Sequence, residues 1–128
     1  MTVDVFEAHP LERALYEPLV GTTMLELGNK EWQGASYKDY FTALGFRHTS
    51  VDINGLNGAR PLDLQEPLNL GTFDMVSNIG TTEHVRKQPP VWRNICEAMH
   101  IGSVFVSTTP HPAGWPQHGM HHPTQAFY

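Results

Sequence analysis

Cysteine is almost missing from this sequence. Cys96 stands alone among 128 residues, so no intrachain disulfide can form and a packed core must hold the fold. Its place in an apolar helical stripe reads as that of a small buried hydrophobe. Long hydrophobic runs are missing too: none approaches the roughly 20 residues that a membrane-spanning helix needs. The opening residues Met1-Thr2-Val3-Asp4 lack the basic and apolar regions of a signal peptide, so a cytoplasmic location is expected. Basic residues are few and scattered. With a formal net charge of −5 and no cluster longer than Arg86-Lys87, the sequence lacks the concentrated basic face of a nucleic-acid binder.

What is present suits a globular protein: 40% hydrophobic and 16% charged residues fit a packed chain, and 128 residues fit a single domain. Pro10 to Glu17 reads as a short helix with Leu11, Ala14 and Leu15 on one face. Thr22 to Leu27 is a short apolar run ending at Gly28, as a buried parallel strand would be. Ser36 opens a helix whose Tyr37, Tyr40, Phe41 and Leu44 share one stripe, with Gly45 as its stop. A second strand is expected over His48–Ile53, a short third at Leu62-Asp63-Leu64, a fourth over Phe73–Ile79 and a fifth over Ser103–Ser107. Pro89-Pro90 opens another helix, with Val91, Ile95 and Met99 inward and Trp92 flanking. Strand, helix, strand in that order is the minimal unit of a parallel sheet. From Thr109 onward Pro, Gly and His dominate, and no regular element is expected.

In open parallel sheets, ligands bind beyond the carboxyl ends of the strands. Gly28 ends the first strand and lets backbone approach a ligand closely. Asp52, 24 residues later at the end of the second strand, is placed to accept both hydroxyls of a ribose. Taken singly, these are a turn glycine and a strand-end acid. Together they point to a nucleoside-type ligand.

Four segments in order carry a resemblance: Met24-Leu25-Glu26-Leu27-Gly28-Asn29, Ser50-Val51-Asp52-Ile53-Asn54-Gly55, Asp63-Leu64, and Phe73 through Val85 with its Ser77-Asn78-Ile79-Gly80-Thr81-Thr82-Glu83-His84-Val85 end. This set resembles the class I S-adenosylmethionine-dependent methyltransferases over residues 22 to 119. The resemblance implies a Rossmann-like, three-layer α/β/α fold with a mostly parallel sheet of about five strands. It also implies S-adenosylmethionine as cofactor. Glu26, Leu27, Gly28 and Asn29 would form the loop near the methionine and ribose, Asp52 would hold the ribose hydroxyls, and Ile53 would pack on adenine. Asp63 and Leu64 would meet the adenine edge. Asn78, Ile79 and Gly80 would line the site beside the sulfonium, with Glu83 and His84 at the start of the following helix. Lys30 stands where the family usually has a second glycine, and its ammonium is a candidate partner for the methionine carboxylate.

The family's sheet generally continues into an antiparallel pair after the fifth strand, and this sequence has no counterpart of it. An uncovered edge strand invites pairing with another chain, so a homo-oligomer, most simply a dimer, is expected.

The tail places His111, His118, His121 and His122 within twelve residues. No cysteine joins them and the HExxH spacing is absent, so a structured loop is expected and no metal site is assigned. In the resemblance, loops of the Trp-Pro-x-His-Gly kind wall the acceptor side. That makes Trp115 a platform and His111, His118 and His84 candidate bases. The implied activity is methyl transfer to a small molecule the sequence does not identify. Two alternatives stay open: an enzyme that degrades the cofactor, as a lyase or hydrolase, and a non-catalytic cofactor-binding subunit.

Overall fold

The computed structural model describes residues 17–32, 34–110, 114, 117–124 and 126–127. The helix expected over Pro10–Glu17 lies outside them except for Glu17, which opens a single 3-10 turn, Glu17–Leu19. His111 and Trp115 also lie outside the described residues.

Among the described residues, six strands and two α-helices follow in order: β1 (Thr23–Leu27), β2 (Glu31–Trp32), β3 (Ala35–Ser36), α1 (Tyr37–Ala43), β4 (Arg47–Val51), β5 (Phe73–Ile79), α2 (Gln88–Glu97) and β6 (Met99–Thr108). Four of the strands make one sheet in the order β4-β1-β5-β6, parallel at every pairing. The polar stretch after β1 holds a small antiparallel hairpin, β2 with β3.

Strand periodicity sends alternate side chains to opposite faces, and two cores result. Leu25, Leu27, Val51 and Val76 meet Val91 and Ile95 of α2 on one face. Met24, Met75 and Val106 meet Tyr37 and Phe41 of α1 on the other. The architecture is therefore helix, sheet, helix, as a Rossmann-like fold requires.

Among the described residues the sheet has four strands where about five were expected. Arg60 begins to pair with β4, its N–H donating to Ser50 O at 2.8 Å and its carbonyl accepting from Asp52 N at 3.0 Å. Pro61 follows, and a proline has no N–H to continue a ladder. Asp63 then turns the chain, its Oδ1 accepting from Gln65 N at 2.8 Å. Leu62-Asp63-Leu64 is thus a loop. It is held by Asn94, a buried α2 residue whose Nδ2 donates to Leu64 O and Glu66 O, both at 2.9 Å.

Helix α1 is capped as expected, Ser36 Oγ accepting from Asp39 N at 3.1 Å. Its stripe is narrower than the sequence spacing indicated: Tyr37 and Phe41 are buried, but the helix ends at Ala43 and Leu44 is exposed. In α2, Val91 and Ile95 point inward, while Met99 belongs to β6. Cys96 is exposed rather than buried, because Asn94 takes the inward-facing place. Among the described residues no helix is long and apolar enough to cross a membrane.

Candidate functional site

The loops that follow β1, β4 and β5 gather at one end of the sheet and enclose two clefts. One, of about 420 Å³, is lined by Asp52, Ile53, Asp63, Leu64 and Gly80, with His84 and Met120 on its far wall. The other, of about 450 Å³, runs past Asn29, Lys30, Glu31 and Asn57. Asp52, Gly80 and Thr81 line both, so the two clefts meet there.

Each wall is fixed by local chemistry. Asp52 Oδ1 accepts from Asn54 N at 3.0 Å, which turns the chain after β4. Asn29 ties the neighbouring loop across, its Nδ2 donating to Asn54 Oδ1 at 2.7 Å and to Leu56 O at 3.0 Å. Gly28 donates its N–H to Val51 O at 2.7 Å, so the ends of β1 and β4 stand side by side. Ile53 is 73% exposed beside the cleft and lines its wall.

Several residues expected to line the site stand behind it. Gly28 is buried, and a Cβ there would collide with Thr81 Oγ1; its missing side chain makes room for protein rather than for ligand. Glu26 and Leu27 are each 1% exposed. Leu27 belongs to the core, while Glu26 bonds His48 Nε2 at 3.2 Å across the β1–β4 ladder. Burial holds the Glu26 carboxyl above its ordinary range, partly offset by the His48 contact. Asn78 is fully buried: its Nδ2 donates to Thr82 Oγ1 and Ser107 Oγ, and its Oδ1 accepts from Thr82 N at 3.0 Å. It shapes the loop after β5 from within. Ile79 packs on the α1-side core.

Glu83 is 1% exposed in the 3-10 turn Thr82–His84. The tail closes over it: Met120 N and His121 N donate to Glu83 O at 2.6 and 3.2 Å. Gly119, at φ +75°, passes so near that a Cβ would lie 2.7 Å from Glu83 Cγ. His118 is thereby laid against His84, their rings perpendicular and 4.8 Å apart. Thr81, Met120 and the seat of the tail on Glu83 were not readable from the sequence. Only Gly119 hinted at a close approach.

No catalogued family matches the chain, and no curated protein does so by sequence. Solved structures do match. An S-adenosylmethionine-dependent methyltransferase from Mesorhizobium loti superposes with a TM-score of 0.64 at 21% identity, over 80% of this chain and 53% of that one. Coclaurine N-methyltransferase, bound to N-methylheliamine and SAH, superposes with a TM-score of 0.53 at 18% identity, over 83% of this chain and 38% of that one. The chain therefore has the fold of the class I S-adenosylmethionine-dependent methyltransferases. It spans about half of the first structure's length and less of the second's.

Proposed function

We propose that this domain binds S-adenosylmethionine and transfers its methyl group to a small acceptor. The observation that carries the reading is the position of Asp52 where the two clefts join. A nucleoside extended by an amino acid needs an acid at its ribose, an apolar wall on one side and a polar channel on the other. Adenine is assigned to the wall of Ile53, Asp63 and Leu64, and the ribose hydroxyls to Asp52. The methionine end is assigned to the channel of Asn29 and Lys30, with Gly80 between. Glu26, Leu27, Gly28, Asn78 and Ile79 then act from behind, by fixing the loops.

The cofactor's sulfonium supplies an electrophilic methyl carbon. The chain's part is to hold the acceptor in line with it, since positioning provides most of the acceleration. His84 lines the cleft and His118 packs on it, so either imidazole is placed to take a proton from an acceptor that must lose one. His111 shares that role on the sequence resemblance alone. We further propose self-association through β6, an outer strand that carries the fully exposed Ile101. Light scattering on the purified chain reads that directly, with a dimer expected and a monomer overturning it.

Incubation with methyl-labelled S-adenosylmethionine tests the activity. Label should pass to a component of a mixed small-molecule extract, with S-adenosylhomocysteine formed only when the extract is present. Breakdown without the extract would replace this reading with cofactor degradation. Binding without turnover would replace it with a non-catalytic subunit.

A further inference from the structure

Three side chains converge beside the cleft. His84 Nε2 and His118 Nε2 both face Glu83 Oε1, at 3.8 and 4.0 Å, beyond hydrogen-bond range. Glu83 is buried, and its Oε2 has no hydrogen-bond partner among the described residues. The imidazoles face Oε1, so an ion between them would pair the buried Oε2 as well by binding the carboxylate through both oxygens.

We infer that Glu83, His84 and His118 form a binding site for one divalent first-row transition ion of the zinc class. The ligand atoms of the three lie within 4.8 Å of one another. Around such an ion, three ligands at about 2.1 Å in tetrahedral array stand roughly 3.4 Å apart. The present spacings close to that by small side-chain rotations. His84, with half of its side chain exposed, is free to make them. Two imidazoles and one carboxylate suit zinc and its first-row neighbours rather than magnesium or calcium, which prefer oxygen.

The rings of two other tail histidines, His121 and His122, point elsewhere. His121 Nε2 donates to Arg86 O at 3.1 Å, and His122 Nδ1 donates to Pro110 O at 3.3 Å. The histidine cluster of the sequence is thus divided: of these three, His118 alone turns its ring toward the Glu83 carboxylate, beside the clamp at Gly119–His121. A competing cation stands nearby. A Cβ on Gly80 would be 3.5 Å from both Glu83 Oε1 and Lys30 Nζ. The lysine approaches from the Gly80 side and the imidazoles from the tail. Because His84 also lines the cleft, an ion here would present its open positions to the acceptor end and take the two imidazoles out of use as bases, a consequence that rests on the methyl-transfer reading.

The site itself is tested without cofactor. Zn2+ is titrated calorimetrically into the full chain, and Co2+ is added in parallel to read ligand-field absorption. One ion per chain is expected, with the intense visible bands of a four- or five-coordinate Co2+. His84→Ala and His118→Ala should each weaken Zn2+ binding by about tenfold or more. Circular dichroism confirms folding, since both side chains are partly exposed. The double variant His121→Ala/His122→Ala should bind Zn2+ as the parent does. No stoichiometric binding, or binding that survives His84→Ala and His118→Ala, overturns the proposal. Either outcome leaves adenosyl binding, measured separately, unaffected.

Discussion

Gly28→Ala strikes the junction on which the site depends. Gly28 has φ +96°, a region that L side chains rarely adopt, and holding alanine there costs about 1–3 kcal/mol. The new methyl also overlaps Thr81 Oγ1 and crowds Thr81 Cγ2 at 3.3 Å, adding about 1–3 kcal/mol as overpacking in a buried place does. The two together come to about 2–6 kcal/mol, enough to lower the urea midpoint clearly. The two contributions separate in a double-mutant cycle. Thr81→Ala removes Oγ1 and Cγ2 and leaves only its Cβ, at 3.3 Å, so Gly28→Ala on that background should recover most of the overlap, about 1–3 kcal/mol, and keep the backbone cost. Since Thr81 lines both clefts, the single Gly28 variant should bind S-adenosylhomocysteine more weakly as well. Strictly additive effects would refute the packing of Thr81 over Gly28.

Other perturbations probe the scaffold. Asn94→Ala strips three hydrogen bonds from residues 64–68 and should destabilise the fold by about 2–4 kcal/mol, read by urea denaturation. Asp74, held by the Thr23 N–H, then the Thr23 hydroxyl, then His100, has its carboxyl lowered to about 2. NMR titration should find it there, rising in Thr23→Val and less in His100→Gln. The His100 imidazole is raised, first by the Ile101 carbonyl and then by Asp74. Sign follows direction: the Asp74 contribution is present above its ordinary 3.8 and lost as pH falls through about 2, and the His100 contribution is present below 6.5 and lost as pH rises through its raised value. The pair therefore stabilises most between those ordinary values. Glu26→Gln removes a carboxyl that burial keeps above its ordinary 4.5, whose stabilising contribution is present below 4.5 and lost as pH rises through the raised value. The variant should be at least as stable as the parent at neutral pH, by thermal melting.

The parallel sheet was legible because apolar strands of five to seven residues alternate with amphipathic helices, and local patterning alone defines that unit. Asp52 and Ile53 were legible because a strand's end is marked by where its apolar run stops. The loop at 62–64 was misread as a strand: its apolar-acid-apolar pattern alternates, and Pro61 blocks the ladder only because Arg60 sits beside β4. The inward roles of Glu26 and Asn78 were hidden for a related reason. Whether a polar side chain at a strand's end faces ligand or protein depends on cross-strand partners such as His48 and Ser107, distant in sequence. The meeting of His118 with Glu83 and His84 is a tertiary contact across more than thirty residues, beyond any local pattern.

Calorimetric titration of S-adenosylhomocysteine into the parent and Asp52→Ala bears most directly on whether one nucleoside spans both clefts. Loss of the ribose contacts should weaken binding by about 1–3 kcal/mol, roughly five- to 150-fold in Kd. Equal affinities in the two proteins would mean that the ribose is held elsewhere, and the assignment of the paired clefts would be wrong.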